Sequence, residues 1–262
     1  MPLAYLPDLR LNYADEGPRD GAPVVFAHAL GLDLAMWDQV LPLLPPGLRL
    51  IRYDHRGHGQ SDVPAPPYAM GAMIRDAERL LDHLGVKDCV FVGISMGGLV
   101  AQGLAVKRLD LVRGLVLSNT AAKIGHESQW QARSAAIETG GMAAVVDAVM
   151  ERWFPRRFRA EGHHLPWRDR VLACNPDGYC GACAAIAGAD FYTPTASLTL
   201  PALVIAGADD GSTPADLVRE TADLMAGAEF RLIRGTGHLP PVDQPAAFAE
   251  AVGGFLRRIG HV

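Results

Sequence analysis

The stretch DCVFVGISMGGLVAQGLAVKRL, residues 88–109, decides the fold because a short apolar run meets a helical pattern at a glycine-rich turn. The run at 88–94 is almost continuously apolar, which is typical of a parallel strand covered on both faces. Apolar residues then follow a helical pattern from position 96 onward. The stretch therefore predicts a strand, a tight turn at Ser95 and a helix.

The same alternation of strand and helix continues on both sides of this stretch. Further strand candidates are PVVFAHA (23–29), LRLIRYD (48–54), RGLVLSN (113–119), ALVIAGA (202–208) and EFRLIRG (229–235). Helical patterns occupy 72–85, 214–227 and 245–260, and residues 4–17 suggest two short antiparallel strands at one edge. The alternation predicts an α/β fold with a mostly parallel, doubly wound sheet.

The alternation stops between residues 121 and 190, where the chain is rich in alanine, helical in period and without strand signals. We interpret 121–190 as a helical cap inserted into a core formed by 1–120 and 191–262. Because ligands bind at the carboxyl edge of open α/β sheets, the cap is expected to cover that edge. Cys180 and Cys183 form a C-x-x-C pattern within this insertion, and we interpret them as core packing.

The composition excludes several classes of protein. The chain has 262 residues, 49% of them hydrophobic, and a net charge of −5, which suits a globular domain with an insertion. The sequence has no basic stripe of the kind that nucleic-acid-binding proteins show. It also has no apolar run long enough to cross a membrane. Four cysteines do not form a secreted disulfide framework, and residues 1–17 lack the apolar core of a signal peptide, so a cytoplasmic location is expected. The oligomeric state stays open, a homo-oligomer included.

The pattern G-x-S-x-G at residues 93–97 suggests a nucleophile. A strand precedes it and a helix follows it, as a nucleophile elbow requires. Ser95 is the predicted nucleophile, and the backbone amide of Met96, directly after it, is a predicted oxyanion donor. The alternative is a glycine-rich turn with an idle serine.

A serine hydroxyl needs a base, and the chain order of this arrangement is serine, acid, histidine. His238 follows the last predicted strand and is the predicted base, whereas His163 and His164 lie in the insertion and are expected to be solvated. Three earlier histidines, His28, His55 and His58, could in principle form a zinc site. Their spacing matches no known pattern of metal ligands, so no metal is predicted. The acid must lie between Ser95 and His238, and GADDGSTP (207–214) offers both Asp209 and Asp210.

Several segments together resemble the α/β-hydrolase superfamily: FAHALG (26–31), YDHRGHGQSD (53–62), GISMGG (93–98), VIAGADDGSTP (204–214) and GTGHLPPVDQP (235–245). The resemblance implies an α/β-hydrolase fold. The superfamily's acid loop, G-x-x-D-x-x-x-P, places Asp210 at the acid that orients His238. The resemblance also implies that the second oxyanion amide belongs to Leu30 and that Asp54 and Arg56 pair near the site.

The insertion resembles the 3-oxoadipate enol-lactonases, through SNTAAKIG (118–125), ERWF (151–154) and GYCGACAAI (178–186). The resemblance implies hydrolysis of a small lactone that bears one carboxylate, in aromatic catabolism, without a cofactor. Alternatives on the same scaffold are a carboxylesterase, a cofactor-free perhydrolase and a carbon–carbon bond hydrolase. A non-catalytic ligand-binding protein is a further alternative.

The substrate carboxylate needs a cation, for which arginine is favoured. Arg133 lies one helical turn from Trp130, so both side chains can face one cavity, and Trp153 can supply an apolar wall. We predict that these three residues bind substrate. Other candidate cations in the insertion are Lys123, Arg152, Arg156 and Arg157. The alternatives are a solvated helix face for Arg133 and cap packing for the tryptophans.

Overall fold

A computed structural model describes residues 2–262 and places an eight-stranded sheet at their centre. The strands are β1 (Leu3–Leu6), β2 (Leu9–Glu16), β3 (Ala22–Ala27), β4 (Leu48–Tyr53), β5 (Cys89–Ile94), β6 (Val112–Ser118), β7 (Ala202–Gly207) and β8 (Glu229–Ile233). Their order across the sheet is β1-β2-β4-β3-β5-β6-β7-β8. The strands from β3 to β8 are parallel, and β1 and β2 form an antiparallel edge. The predicted α/β fold and its antiparallel edge are confirmed.

Burial along the strands explains their composition. Every residue of β5 and β7 is buried, because helices cover both faces of the sheet at its centre. At the edge of the sheet β8 is mostly exposed and carries Glu229 and Arg231. The apolar runs of the sequence therefore mark the central strands, at whose carboxyl ends the candidate site lies.

Eleven α-helices surround this sheet in residues 2–262. They are α1 (Met70–His83), α2 (Met96–Lys107), α3 (Glu127–Gly140), α4 (Val146–Trp153), α5 (Arg156–Ala160), α6 (Leu165–Ala173), α7 (Pro176–Ala187), α8 (Tyr192–Ala196), α9 (Ala215–Leu224), α10 (Pro240–Asp243) and α11 (Pro245–Arg258). Helix α2 is buried along most of its length, packing on β5 and β6 and between α1 and α8. A helix that is apolar all round belongs in such a core position. None of the helices is long and apolar enough to cross a membrane.

Helices α3 to α7 fill the segment that we interpret as the cap, and α3 packs against α7. Between residues 121 and 190 the structure contains no strand. Cys183 is buried on α7 and Cys180 is half-buried there, both as free thiols. The exact limits of the cap remain a prediction.

The predicted pair of Asp54 and Arg56 is wrong. Both guanidinium hydrogen bonds of Arg56 go to Asp76 on α1, at 2.6 Å each. Asp54 instead accepts hydrogen bonds from Asn12 Nδ2 at 2.7 Å and from the backbone amides of Leu34 and Gln60. The Asp54 carboxylate is thus enclosed by β2 and by the loops after β3 and β4, whereas the longer Arg56 side chain reaches the neighbouring helix.

The three early histidines lie close together and are buried. The ring centroids of His28 and His55 are 4.5 Å apart, and those of His28 and His58 are 5.4 Å apart. His28 Nδ1 bonds the carbonyl of Ala29, and its Nε2 accepts from the His55 amide, so both of its ring nitrogens are engaged. Burial lowers the pKa of His28 to about 4 and that of His58 to about 3. Residues 2–262 contain no group of three or more His, Cys, Asp or Glu side chains placed to hold a metal ion.

Candidate active site

Ser95 lies on the sharp turn between β5 and α2. Its backbone has φ +53° and ψ −118°, a conformation that costs free energy for a non-glycine residue and recurs at functional turns. The neighbouring glycines make this turn possible: a Cβ at Gly97 would lie 2.2 Å from the carbonyl oxygen of Ala27, and one at Gly93 would lie 2.3 Å from that of Gly97. The turn therefore presents Ser95 at the carboxyl edge of the sheet.

His238 and Asp210 form a buried pair on the loops after β8 and β7. The distance from His238 Nδ1 to Asp210 Oδ2 is 2.8 Å. Because a carboxylate only accepts hydrogen bonds, His238 carries its proton on Nδ1 and leaves Nε2 free to accept one. This is the tautomer that a general base for a serine nucleophile requires.

The environment of Asp210 distinguishes it from its neighbour Asp209. Asp210 Oδ1 accepts from the amides of Ser212 and Thr213, at 2.7 and 3.0 Å. Burial alone would raise the pKa of Asp210, but its interaction with His238 and the hydrogen bonds from Asn119 and the Ser212 amide hold the pKa below its usual value. Asp209 is exposed. The structure therefore places Asp210, and not Asp209, against the histidine.

Asn119 is a site residue that the sequence did not single out. It follows β6 directly, with φ +47°, and its Nδ2 donates to Asp210 Oδ2 at 2.8 Å and to the carbonyl of Gly237 at 3.1 Å. One amide group thus links the acid to the residue before His238. Thr213 adds a further donor to Asp210 Oδ2, at 2.8 Å. The available signal was the position of Asn119 at the carboxyl end of a central strand.

Asp243 on α10 holds the histidine loop from the other side. Its carboxylate accepts from the Thr236 hydroxyl and from the Gly237 amide, the latter at 2.9 Å. Burial raises the pKa of Asp243 to about 6, although these hydrogen bonds oppose the rise. The sequence analysis did not identify this residue either.

The two predicted oxyanion donors border the same site. The amide of Met96 is the first of helix α2 and directly follows Ser95, and Leu30 follows β3 and lines the same cavity as Ser95. Within residues 2–262 neither amide donates a hydrogen bond to another group. Both are therefore free to donate to a ligand oxygen, as an oxyanion hole requires.

A cavity of about 530 Å³ joins these groups to the cap. Ser95, His238 and Leu30 border it from the core, and α3, α4 and α7 border it from the cap. The cap residues along it include Gln129, Trp130, Arg133, Val145, Ala148, Arg152, Trp153 and Tyr179. A partly apolar cavity with a few converging polar groups is the usual form of a small-molecule site.

The structure brings the three predicted substrate-binding residues to this cavity. The Arg133 guanidinium lies over the Trp130 ring, with Cζ 4.6 Å from its centroid. Trp153 stacks on His238, with ring centroids 6.0 Å apart, and its carbonyl accepts the His238 amide at 2.7 Å. Trp130 Nε1 donates to the carbonyl of Ile124, so Trp130 also packs the cap. The catalytic and binding roles of all these residues remain predictions.

The other predicted cations divide between the cavity and the surface. Arg152 borders the cavity. Lys123 pairs with Asp190, and Arg157 pairs with Glu161. Arg156 is exposed.

Comparison with known proteins identifies the family. The alpha/beta hydrolase fold family matches residues 22–245. The chain is 33% identical over 253 residues to 3-oxoadipate enol-lactonase 2 of Acinetobacter baylyi, covering 96% of this chain and 94% of that protein. The crystal structure of the enol-lactonase from Burkholderia xenovorans LB400 has a TM-score of 0.94 at 34% identity, covering 98% of this chain and 100% of that one.

Other relatives carry different activities. A non-heme chloroperoxidase of Streptomyces lividans is 30% identical over 247 residues, covering 86% of this chain and 88% of that protein. The likeness to enol-lactonases supports the role of a hydrolase, while this spread of activities leaves the substrate to inference. The resemblance predicted from the sequence is confirmed, and the chain belongs to the alpha/beta hydrolase fold family.

Proposed function

We propose that this protein hydrolyses 3-oxoadipate enol-lactone to 3-oxoadipate, a step in the degradation of aromatic compounds. One observation carries the proposal: Ser95, His238 and Arg133 border a single cavity of about 530 Å³. The cavity thus combines the groups for acyl transfer with a cation for a substrate carboxylate. The likeness to enol-lactonases over almost the whole chain supports it. The partner in this proposal is a small molecule, and neither a nucleic acid nor a membrane.

In the first half-reaction Ser95 Oγ attacks the ring carbonyl and passes its proton to His238 Nε2. The carbonyl oxygen, now negatively charged, accepts hydrogen bonds from the amides of Leu30 and Met96. The bond from the carbonyl carbon to the ring oxygen then breaks. The departing enol oxygen takes the proton from His238, and the enol becomes a ketone. An acyl-enzyme on Ser95 results, and the substrate carboxylate is retained at the end of its chain.

In the second half-reaction water attacks the acyl-enzyme, whose former enol oxygen stays on the acyl chain as the ketone. His238 accepts a proton from water, whose oxygen attacks the acyl carbon while the same amides hold the charge. The bond to Ser95 Oγ breaks, the serine regains its proton from His238, and a dicarboxylate leaves. Asp210 keeps the imidazole in the required tautomer throughout.

The proposal assigns Arg133 to the substrate carboxylate. A charge-assisted hydrogen bond of this kind is worth ~1.5–3 kcal/mol, or roughly ten- to a hundred-fold in kcat/KM. Arg133→Met removes the charge and keeps an apolar side chain. We expect the ratio of kcat/KM for the enol-lactone to kcat/KM for 4-nitrophenyl acetate to fall by that factor, because the acetate ester has no carboxylate to bind.

The experiment follows the loss of the enol-lactone's ultraviolet absorbance with purified protein. Arg156→Met is the matched control, because Arg156 lies in the cap but is exposed and does not border the cavity. Rapid turnover of the enol-lactone supports the proposal. Efficient hydrolysis of aryl esters without turnover of the enol-lactone would replace the proposal by a general carboxylesterase, and no hydrolysis of either would favour a binding protein.

A further inference from the structure

Two cap arginines border the candidate active site without a counter-ion. Arg133 on α3 and Arg152 on α4 both line the cavity that holds Ser95 and His238. Neither side chain forms an ion pair with a carboxylate of residues 2–262. Most other cap cations are paired: Lys123 with Asp190, Arg157 with Glu161, Arg168 with Asp147 and Arg170 with Asp33. Arg156 and Arg159 also form no ion pair among residues 2–262, but Arg133 and Arg152 are the cap arginines without an acidic partner that border the cavity.

The two arginine charges repel each other and are partly removed from water. Both arginines are half-buried, and burial together with the positive charge of Arg133 lowers the pKa of Arg152. Asp210, the acid on the adjoining loop, is already engaged by His238, Asn119 and Thr213. An opposite charge close to two like charges offsets their repulsion. An anionic ligand would supply that charge.

Tyr179 on α7 adds a neutral donor to the same cavity. Its side chain is fully buried beside Arg133, and no group among residues 2–262 accepts a hydrogen bond from its hydroxyl. The ring lies against the loop that carries Leu30, since a Cβ added at Gly31 would come within 2.8 Å of Tyr179 Cε2. Burial raises the pKa of Tyr179, with Arg133 opposing the rise, so the hydroxyl keeps its proton. A buried donor without a partner costs free energy until a ligand accepts its hydrogen bond.

We propose that Arg133, Arg152 and the hydroxyl of Tyr179 together bind a carboxylate at the cap end of the cavity, and that this site selects esters and lactones whose acyl half ends in a carboxylate. The inference deepens the proposed function, and the length of the acyl chain that it assumes rests on that function. Opening the enol-lactone leaves on Ser95 a six-carbon acyl chain with a carboxylate at its far end. The site adds Arg152 and Tyr179 to Arg133 as residues that determine specificity.

The length of the acyl-enzyme suggests the test substrates. The mono-4-nitrophenyl ester of adipate places a six-carbon acyl chain with a terminal carboxylate on Ser95. The 4-nitrophenyl ester of hexanoate places a six-carbon chain without that charge. In both reactions Ser95 Oγ forms the new ester bond, 4-nitrophenolate leaves, and water later releases the acid. The two substrates therefore differ at the far end of the acyl chain alone.

The measured quantity is the ratio of kcat/KM for the adipate ester to kcat/KM for the hexanoate ester. We expect this ratio to fall roughly ten- to a hundred-fold in Arg152→Met and in Arg133→Met, because each removes a charge-assisted contact. Tyr179→Phe should lower it several-fold, since it removes a neutral donor. If both arginines hold one carboxylate, the double variant loses less than the product of the single losses. Arg156→Met should leave the ratio and the activity unchanged.

The ratio is insensitive to a loss of folded protein, because both substrates report on the same active molecules. If a variant does not fold at all, inhibition of the unmodified enzyme supplies the test. Adipate should then inhibit hydrolysis of the hexanoate ester competitively, and far better than uncharged 1,6-hexanediol does. Equal inhibition by the two compounds would overturn the proposal.

An unchanged ratio in Arg152→Met and Tyr179→Phe would also overturn it, even if the enol-lactone is hydrolysed. Conversely, a lowered ratio without hydrolysis of the enol-lactone would retain the carboxylate site and reject the proposed substrate. The two failures are therefore distinguishable.

Discussion

Replacing Asp210 by asparagine perturbs the hydrogen bond that orients the candidate base. In the structure Asp210 Oδ1 accepts two backbone amides, from Ser212 and Thr213. Oδ2 accepts from His238 Nδ1 and Asn119 Nδ2, both at 2.8 Å. An asparagine that keeps its oxygen at the first position turns its own NH₂ group toward His238 and Asn119. Two donors would then face each other at each of these contacts.

The conflict is relieved when His238 moves its proton from Nδ1 to Nε2. The imidazole then presents a donor to Ser95 and cannot accept the serine proton. In the serine-protease template the corresponding substitution costs ~10⁴-fold in kcat. At 1.36 kcal/mol for each factor of ten, that is about 5 kcal/mol of transition-state stabilisation. We expect kcat of Asp210→Asn to fall by about this factor.

The assay is kcat for 4-nitrophenyl acetate, with thermal unfolding measured on the same samples to verify that the variant is folded. Asp209→Asn is the matched control, because Asp209 is exposed and adjacent in sequence. We expect kcat of the control to change little. A large loss in Asp209→Asn together with a small loss in Asp210→Asn would refute the assignment of the acid.

Two further residues, Asn119 and Asp243, form hydrogen bonds with the loop that carries His238 and allow similar tests. Asn119→Ala removes the donor shared by Asp210 and the Gly237 carbonyl. We expect kcat for 4-nitrophenyl acetate to fall roughly ten- to a hundred-fold, as for the loss of other hydrogen bonds to charged groups. An unchanged kcat would contradict the positioning role of Asn119. The half-buried Asp243 has its pKa raised from 3.8 to about 6, so it binds more protons in the folded state between these pH values. Its contribution to the free energy of unfolding is therefore fully present below pH 3.8 and is lost as pH rises through 6, by roughly 3 kcal/mol. Denaturant unfolding of the unmodified protein and of Asp243→Asn at pH 4 and pH 7 measures this difference, and a difference that grows with pH would contradict it.

The parts of the fold predicted from the sequence depend on local patterns. Central strands such as β5 and β7 are buried on both faces, so their apolar runs are visible in the chain. Ser95 could be predicted because the turn needs glycine at 93 and 97, where a Cβ would meet backbone oxygens. The choice between Asp209 and Asp210 needed a family resemblance, because composition treats the two alike. Burial and hydrogen bonding in the structure separate them.

The parts that could not be predicted depend on contacts between distant residues. Asn119 and Asp210 are 91 positions apart, and their contact requires β6 and β7 to be neighbours in the sheet. Arg56 and Asp76 form an ion pair because α1 packs near the loop after β4. No short sequence motif predicts that packing. Arg152 could not be separated from the other cap cations, since its lack of a counter-ion is a property of the folded cap. Sequence patterns thus place groups at the edge of the sheet, and packing determines their partners.

Covalent labelling of Ser95 is the measurement that tests the central claim most directly. We expect an aryl phosphonate to add a single adduct to each chain, located at Ser95 by peptide mass spectrometry, with loss of hydrolysis in proportion to labelling. Ser95→Ala should take up no label and should show no hydrolysis of the enol-lactone or of 4-nitrophenyl acetate. A label at another residue, or full activity in Ser95→Ala, would contradict the account.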